Sequence, residues 1–104
     1  MKNSDALAAL SALANEYRLA IFRLLVQQGP EGLAVGRIAE RTGLPNATLS
    51  FHLRELSAAG LLDARKEGRF IFYNANFDTM NAVIGFLTEN CCGGKPCPPS
   101  RSRC

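Results

Sequence analysis

The feature that most constrains the fold is a tight break, Gly-Leu-Pro-Asn at residues 43–46, between two helix-like segments. The segment before the break, residues 35–42, has apolar residues at helical spacing, and the break supplies a glycine where helices commonly end. After it, Leu49, Leu53 and Leu56 recur at i, i+4 and i+7, as on the buried face of a helix that begins near residue 46 and ends near Gly60. Two helices joined by a short glycine-containing turn predict a helix-turn-helix.

The face of the second helix opposite the leucines carries groups that suit a DNA major groove. At about 100° per residue, Ser50, Phe51 and Arg54 lie opposite the leucines, and Thr48 and His52 lie on the flanks. Hydroxyl groups reach base edges or phosphates, arginine forks onto guanine, and an apolar ring packs on a thymine methyl. A solvated amphipathic helix has a similar pattern, so the segment that follows decides between the two interpretations.

That following segment has the pattern of a β-hairpin with a basic tip. Residues 62–65 and 69–73 have strand character and flank a three-residue turn. Arg65, Lys66 and Arg69 lie at or beside this turn, where a hairpin that follows a recognition helix contacts phosphates. The two patterns together predict a mainly α fold with a β-hairpin, a winged helix-turn-helix that binds double-stranded DNA.

Further helices are predicted before and after this unit. The first follows Ser4 and Asp5, either of which can cap it, the second follows Asn15, and the last follows Asn76. In a chain of 104 residues the first and last helices have more apolar surface than one small core can bury. We therefore expect a two-fold homodimer that presents two recognition helices to the half-sites of a palindromic operator. The apolar positions of these two helices are Leu7, Leu10, Leu13, Phe77, Met80, Val83, Ile84 and Leu87.

The composition indicates a binding protein and not an enzyme. The only histidine, His52, is assigned to DNA by the helical pattern, and no nucleophile has a base nearby in the manner of a catalytic triad. The length leaves room for one domain with a modest core. A net charge of +3 is compatible with nucleic-acid binding.

All four cysteines lie in the last fourteen residues, at positions 91, 92, 97 and 104. They therefore cannot cross-link the body of the fold. No apolar run is long enough to span a membrane and the N-terminus lacks the pattern of a signal peptide, so we expect a cytoplasmic protein with no membrane partner. In a reducing cytosol, clustered thiols bind metals or sense redox state. We expect a DNA-binding and dimerisation domain at residues 1–90 and a flexible inducer-binding tail at residues 91–104.

Three segments resemble the ArsR/SmtB family of metalloregulators. They are residues 13–25 (LANEYRLAIFRLL), 47–56 (ATLSFHLREL) and 65–73 (RKEGRFIFY), and the resemblance covers nearly all residues from 5 to 90. It implies a dimeric winged-helix repressor that binds operator DNA and releases it when an inducer binds. It also implies which positions contact DNA. These are Asn46, Thr48, Ser50 and His52 on the recognition helix and Arg65, Lys66 and Arg69 on the hairpin.

The inducer site departs from that of the best-known members of this family, which have a Cys-x-Cys on the third helix. Ala34 and Gly36 stand at those two positions. On the last helix, where other relatives place carboxylate and imidazole ligands for zinc, only Asp78 and Glu89 are found. Some arsenic-responsive members are similar to this chain in having a C-terminal Cys-Cys pair and a nearby third cysteine. The corresponding residues here are Cys91, Cys92 and Cys97.

Three thiolates suit arsenite, As(III), or antimonite, Sb(III), because these soft centres bind three sulfurs in a pyramid. Gly93 and Gly94 free the backbone and Pro96 turns it, so Cys97 can close a small cage. Cys104 is expected to lie outside this cage, as a spare or substitute ligand. We expect arsenite to be the inducer.

Three alternatives stay open at this point. Four thiols would satisfy zinc or cadmium, although the cysteine spacing differs from paired Cys-x₂₋₄-Cys knuckles. A redox-responsive repressor would form a disulfide between Cys97 and Cys91 or Cys92 on oxidation. Outside transcription, the chain would be a metallochaperone that delivers arsenite to a pump.

Overall fold

A computed structural model describes residues 1–95 and shows a helical body with a small antiparallel sheet. Along these residues the elements are α1 (Asn3–Leu13), α2 (Glu16–Gln28), β1 (Leu33–Ala34), α3 (Val35–Thr42), α4 (Asn46–Ala58), β2 (Leu62–Glu67), β3 (Phe70–Ala75) and α5 (Phe77–Leu87), followed by a short 3₁₀ turn at Cys91–Gly94. The predicted mainly α fold with a β-hairpin is confirmed.

Two of the predicted helix starts are confirmed by side-chain caps. The Oδ1 atom of Asn15 accepts hydrogen bonds from the backbone N–H groups of Tyr17 at 2.9 Å and Arg18 at 3.0 Å. At α5, the Oδ1 atom of Asn76 accepts from the backbone N–H of Thr79 at 2.9 Å. Each cap satisfies amides that have no partner inside the helix.

Helix α1 begins earlier than the sequence indicated. Its N-cap is Lys2, so Ser4 and Asp5 lie inside the first turn and neither is the cap. The Asp5 carboxylate reaches back and accepts a hydrogen bond from the Lys2 backbone N–H at 3.4 Å. The helix buries a face of small side chains, which lets it approach the other helices closely and leaves the leucines Leu7 and Leu10 exposed. The buried residues of α1 are Ala6, Ala9 and Ala12.

Helices α3 and α4 form the predicted helix-turn-helix. Helix α3 ends at Thr42 and is capped by Gly43, whose φ of +72° is the left-handed conformation that glycine adopts without strain. Helix α4 begins after Pro45, and its leucines Leu49, Leu53 and Leu56 are all buried. The break between the helices is therefore where the sequence placed it.

The sheet has the strand order β1-β3-β2, and it corrects the predicted hairpin turn. Lys66 and Glu67 belong to β2, where they pair with Ile71 and Phe70 of β3, so the expected three-residue turn at residues 66–68 is wrong. The connection consists of two residues, and the first of them, Gly68, has a φ of +63°. A two-residue loop with glycine at a positive φ matches the twist of the flanking strands, which lets both strands extend further.

Strand β1 is an element that the sequence analysis missed. Its two residues pair with β3, Leu33 opposite Tyr73 and Ala34 opposite Phe72. The chain enters β1 through Gly32, where a Cβ atom would lie 2.2 Å from the carbonyl oxygen of Tyr73. Only a residue without a side chain allows the two backbones to approach so closely.

The core lies between α1, α2, α3, α4 and the sheet, and α5 covers it only in part. Val83 is the buried residue of α5, whereas Ile84 and Leu87 are exposed. Together with Leu7 and Leu10 they form an outward apolar surface on α1 and α5, two helices that pack against each other. Within residues 1–95, no helix is both long enough and apolar enough to cross a membrane. The largest fully buried side chains are Ile21, Leu25, Ile38, Leu49, Leu53, Leu56 and Leu61.

Candidate nucleic-acid interface

The predicted DNA-reading face of α4 is exposed to solvent, with one exception described below. Ser50, Phe51 and Arg54 lie on the side opposite the buried leucines, and Phe51 exposes 47% of its surface. Asn46 and Thr48 are exposed in the first turn of the helix. Because the leucine face is fixed in the core, the rotation of α4 about its axis keeps these polar and aromatic groups outward.

A groove of about 520 Å³ separates this face of α4 from the hairpin formed by β2 and β3, which we call the wing. Its α4 wall includes Ser50 and Arg54, and its wing wall includes Arg69, Ile71 and Tyr73. Two arginines, a serine and a tyrosine therefore line one concave surface. Such a set binds phosphate oxygens and guanine edges.

The three basic residues of the wing have different surroundings, although the sequence placed them together. Arg65 forms an ion pair with Glu67 and donates a hydrogen bond from Nη2 to the backbone carbonyl of Glu31 at 2.9 Å. Its guanidinium also lies 4.9 Å from the ring centroid of Phe72. Lys66 points to the opposite side of β2, because successive side chains of a strand alternate. All three basic residues are exposed, but Arg65 also contacts Glu31, Glu67 and Phe72 and so helps to hold the wing in place.

His52 does not lie where a base-contacting group should lie, and this part of the predicted site needs correction. The side chain is only 6% exposed. Its ring stacks on Tyr17 of α2 with a centroid distance of 5.8 Å and meets the Phe51 ring edge-on at 5.5 Å. A residue on the flank of a helix faces either solvent or a neighbouring helix. Here helix α2 covers the flank that carries His52.

Burial lowers the pKa of His52 below its ordinary value of 6.5, and the nearby Arg18 guanidinium lowers it further. The carboxylate of Glu55 acts in the opposite direction with a smaller effect. The imidazole is therefore neutral at pH 7.

Arg18 is a residue that sequence reasoning did not single out. Its Nε donates a hydrogen bond to the carbonyl oxygen of Ala12 at 2.7 Å, and its Nη1 lies 3.3 Å from Nδ1 of His52. An arginine on an amphipathic helix usually faces solvent, so the helical pattern gave no reason to single it out. Only its place inside the family-like segment 13–25 indicated a role. The side chain connects the end of α1 to the middle of α4.

The adjacent cysteines lie side by side on an exposed turn after α5. The Sγ atoms of Cys91 and Cys92 are 3.7 Å apart. Asn90 and Cys92 have φ values of 57° and 56°, so the backbone here departs from a regular helix. Cys104 and the predicted third ligand, Cys97, lie outside the described residues. Within residues 1–95, histidine, cysteine and carboxylate side chains form no group of three that could bind a metal ion.

Comparison with known proteins agrees with this geometry. A family described as a helix-turn-helix domain matches residues 13–65. The nodulation protein NolR of Rhizobium meliloti is 37% identical over 91 residues, which cover 85% of this chain and 72% of NolR. The transcriptional activator HlyU of Vibrio cholerae is 37% identical over 92 residues, which cover 88% of this chain and 82% of HlyU.

A solved structure extends the similarity from sequence to fold. The solution structure of Mb0332 from Mycobacterium bovis, a homodimeric winged helix-turn-helix DNA-binding domain and a possible ArsR-family transcriptional regulator, has a TM-score of 0.68 and 31% identity. The match covers 91% of this chain and 88% of the Mb0332 domain. The winged helix-turn-helix architecture is thus confirmed. The matched proteins are regulators and not enzymes, as the sequence predicted.

Proposed function

The chain belongs to the ArsR/SmtB family of winged helix-turn-helix transcriptional regulators, and from this premise we propose that it is a homodimeric, arsenite-responsive repressor. It binds a palindromic operator in its inducer-free form. It leaves the operator when arsenite or antimonite binds its C-terminal thiolates. The observation that carries DNA binding is the groove between α4 and the wing, where Arg54, Arg69 and Ser50 converge.

In this proposal α4 is the recognition helix. It enters the major groove with Asn46, Thr48, Ser50, Phe51 and Arg54 toward the bases, and the exposed cations of the wing contact the flanking phosphates. Phosphate contacts release counterions, so the affinity for DNA falls steeply as the salt concentration rises. An arsenite metallochaperone would lack this salt-dependent affinity.

The proposed dimer uses the outward apolar surface of α1 and α5. Leu7, Leu10, Ile84 and Leu87 are exposed in the single chain, and a second copy would remove them from water. Two-fold pairing places two recognition helices about 34 Å apart, one turn of B-DNA. The homodimeric state of Mb0332 supports this assembly.

The proposed inducer site begins at Cys91 and Cys92. Two thiolates that bind one tetrahedral ion at about 2.3 Å each are roughly 3.8 Å apart, and the observed separation of the two sulfurs is 3.7 Å. This separation would allow both sulfurs to bind one thiophilic ion. Cys97 would supply a third sulfur, which completes the pyramid of arsenite and leaves the tetrahedron of zinc incomplete unless Cys104 joins it.

The test is fluorescence anisotropy of a labelled palindromic promoter fragment from the protein's own locus, titrated with reduced protein. Arsenite, zinc, cadmium and an oxidant are then added in parallel to the wild type, to Cys97→Ser and, as a matched control, to Cys104→Ser. Typical coupling between sites predicts that arsenite weakens operator binding about 5- to 150-fold. The Cys97→Ser variant should lose this response, and Cys104→Ser should keep it.

The other outcomes separate the remaining candidates. Release by zinc or cadmium but not by arsenite would reassign the inducer. Release by the oxidant alone, reversed by dithiothreitol, would favour a thiol redox switch in which Cys97 forms a disulfide with Cys91 or Cys92. Failure of the wild type to bind any duplex would overturn the repressor function.

A further inference from the structure

The contacts of Arg18 bridge two helices that have different tasks in the proposed function. Nε donates to the Ala12 carbonyl, one of the last backbone acceptors of α1, and Nη1 lies within hydrogen-bond distance of His52 on α4. The outward side of α1 belongs to the proposed dimer interface. The outward side of α4 is the proposed DNA-reading face, so a single guanidinium connects the two.

The contact with His52 requires a particular protonation state of the imidazole. A guanidinium group only donates hydrogen bonds, so Nδ1 of His52 must accept and the ring proton must be on Nε2. A protonated ring would offer no acceptor and would place two cations 3.3 Å apart. The charged or titratable groups that face the ring are Arg18 and Tyr17 from α2 and Glu55 from its own helix.

The imidazole also contacts the reading face directly. The Phe51 ring packs edge-on against it at 5.5 Å, and Phe51 is exposed and follows Ser50, which lines the groove that would receive DNA. A shift of His52 would therefore move a side chain that the proposed function places against bases.

We propose that Arg18 and His52 form a strut between α1 and the recognition helix, and that Arg18 is a positioning residue for operator binding. The strut fixes the recognition helix relative to the dimer-forming helix of the same subunit, and so contributes to the spacing of the two recognition helices. This inference rests on the proposed function, in which α4 reads the operator. Neither residue contacts DNA itself.

The experiment compares operator affinity in charge-conserving variants of the full chain. Arg18→Lys keeps the positive charge but lacks the fork that reaches the Ala12 carbonyl and His52 together. Arg23→Lys makes the same change at an exposed position of α2 and is the matched control. Affinities for the operator and for a scrambled duplex are measured by anisotropy, and urea unfolding establishes that each variant is folded at the assay temperature.

A second pair of variants tests the acceptor. His52→Asn places an amide oxygen near the position of Nδ1, and His52→Leu removes the acceptor. Because His52 is the only histidine, the ¹⁵N signals of its ring also report the tautomer directly.

The strut predicts that Arg18→Lys weakens operator binding about tenfold relative to Arg23→Lys, with little change on the scrambled duplex. His52→Leu should show the same loss of operator affinity, whereas His52→Asn should keep most of the wild-type affinity. The double variant Arg18→Lys with His52→Leu should lose no more operator affinity than either single variant. The ring should carry its proton on Nε2.

Different results overturn different claims. Four results would overturn the strut and leave the repressor function intact. They are equal operator affinity of Arg18→Lys and Arg23→Lys, additive losses of operator affinity in the double variant, equal losses on the operator and the scrambled duplex, and a ring proton on Nδ1. If Arg18→Lys proves too unstable to assay, the comparison of His52→Asn with His52→Leu decides the question alone. A wild-type protein that binds no duplex would overturn the proposed function and the strut with it.

Discussion

At the scale of single residues, Gly32 is the glycine whose added Cβ atom would lie nearest to another part of the described chain. A Cβ atom there would lie 2.2 Å from the Tyr73 carbonyl oxygen, and the φ of +70° disfavours any side chain. We expect Gly32→Ala to lower the free energy of unfolding by about 2 to 3 kcal/mol, measured by urea denaturation. Gly36 is the matched control, because its Cβ would meet no atom within 4 Å. Gly36→Ala should raise stability by about 0.5 to 1 kcal/mol, and equal midpoints for the two variants would contradict this interpretation of β1.

His52 should make stability depend on pH in a defined window. Its folded pKa is lowered below 6.5 by burial and by Arg18, so between the folded pKa and 6.5 the unfolded chain binds more protons than the folded one. The contribution is fully present above pH 6.5 and is lost as the pH falls through the folded pKa.

The measurement is urea unfolding of the wild type and His52→Asn at pH 7.5, 6.5 and 5.5. The carboxylates titrate in both proteins, so the difference between the two curves isolates the imidazole. The wild type should lose more stability than the variant at pH 5.5. Parallel curves would show that the imidazole is not buried against Arg18 as described.

The residue scale is also where sequence reasoning reached its limit. The helical wheel placed His52 on a flank of the recognition helix, and a flank can face either DNA or a neighbouring helix. Arg18, which decides between the two, lies 34 residues earlier in the chain. No periodicity within one helix reports a contact of that kind, whereas Ser50, Phe51 and Arg54 were predictable because they lie directly opposite the buried leucines.

At the scale of elements, the basic residues of the wing differ in whether they also contact other parts of the protein. Lys66 and Arg69 are exposed, so Lys66→Ala and Arg69→Ala should each reduce the slope of log affinity against log salt by about 1. Stability should change by no more than about 0.5 kcal/mol in either variant. Arg65 contacts Glu31, Glu67 and Phe72, so Arg65→Ala should lower stability as well as affinity.

The measurements are operator titrations at four salt concentrations and urea midpoints for the three variants. Glu67→Gln is a useful control, because it removes the ion-pair partner of Arg65 without removing a cation. An unchanged salt slope in both Lys66→Ala and Arg69→Ala would mean that the wing does not contact phosphates.

Elements were predictable from the sequence where local chemistry defines them. Helices α2 and α5 have asparagine caps, and α3 and α4 are separated by a glycine in the left-handed conformation. Strand β1 has only two residues and therefore no alternation to detect, and it forms because β3 offers a partner from far along the chain. The turn of the wing was misplaced because Lys66 and Glu67 have weak strand propensity, and cross-strand pairing overrides it.

At the scale of the whole molecule, the winged helix-turn-helix followed from the order of the elements, whereas the proposed dimer and the proposed inducer depend on surfaces that meet other molecules. Sequence alone identified which helices have excess apolar surface. The structure then distinguishes the alanine face that α1 buries from the leucines that it exposes. All four cysteines lie in the last fourteen residues, so the packing of the core carries no information about the ligand that we propose for them.

The exposed leucines and isoleucine of α1 and α5 allow the proposed dimer interface to be tested. Ile84 is 53% exposed on α5, inside the proposed dimer surface, and Leu19 is 43% exposed on α2, outside it. A carboxylate at an apolar interface loses its hydration without gaining a partner, whereas the same group on an open surface stays hydrated. We therefore expect Ile84→Glu to weaken dimerisation by roughly 100-fold, about 2.7 kcal/mol, and Leu19→Glu to leave it unchanged.

Light scattering coupled to size-exclusion chromatography measures the dimer over a concentration series. Because a palindromic operator is bound by two linked recognition helices, Ile84→Glu should also lose most of its affinity for the full operator. Its affinity for an isolated half-site should equal that of a wild-type monomer. A stable Ile84→Glu dimer, or equal dissociation in both variants, would place the interface elsewhere.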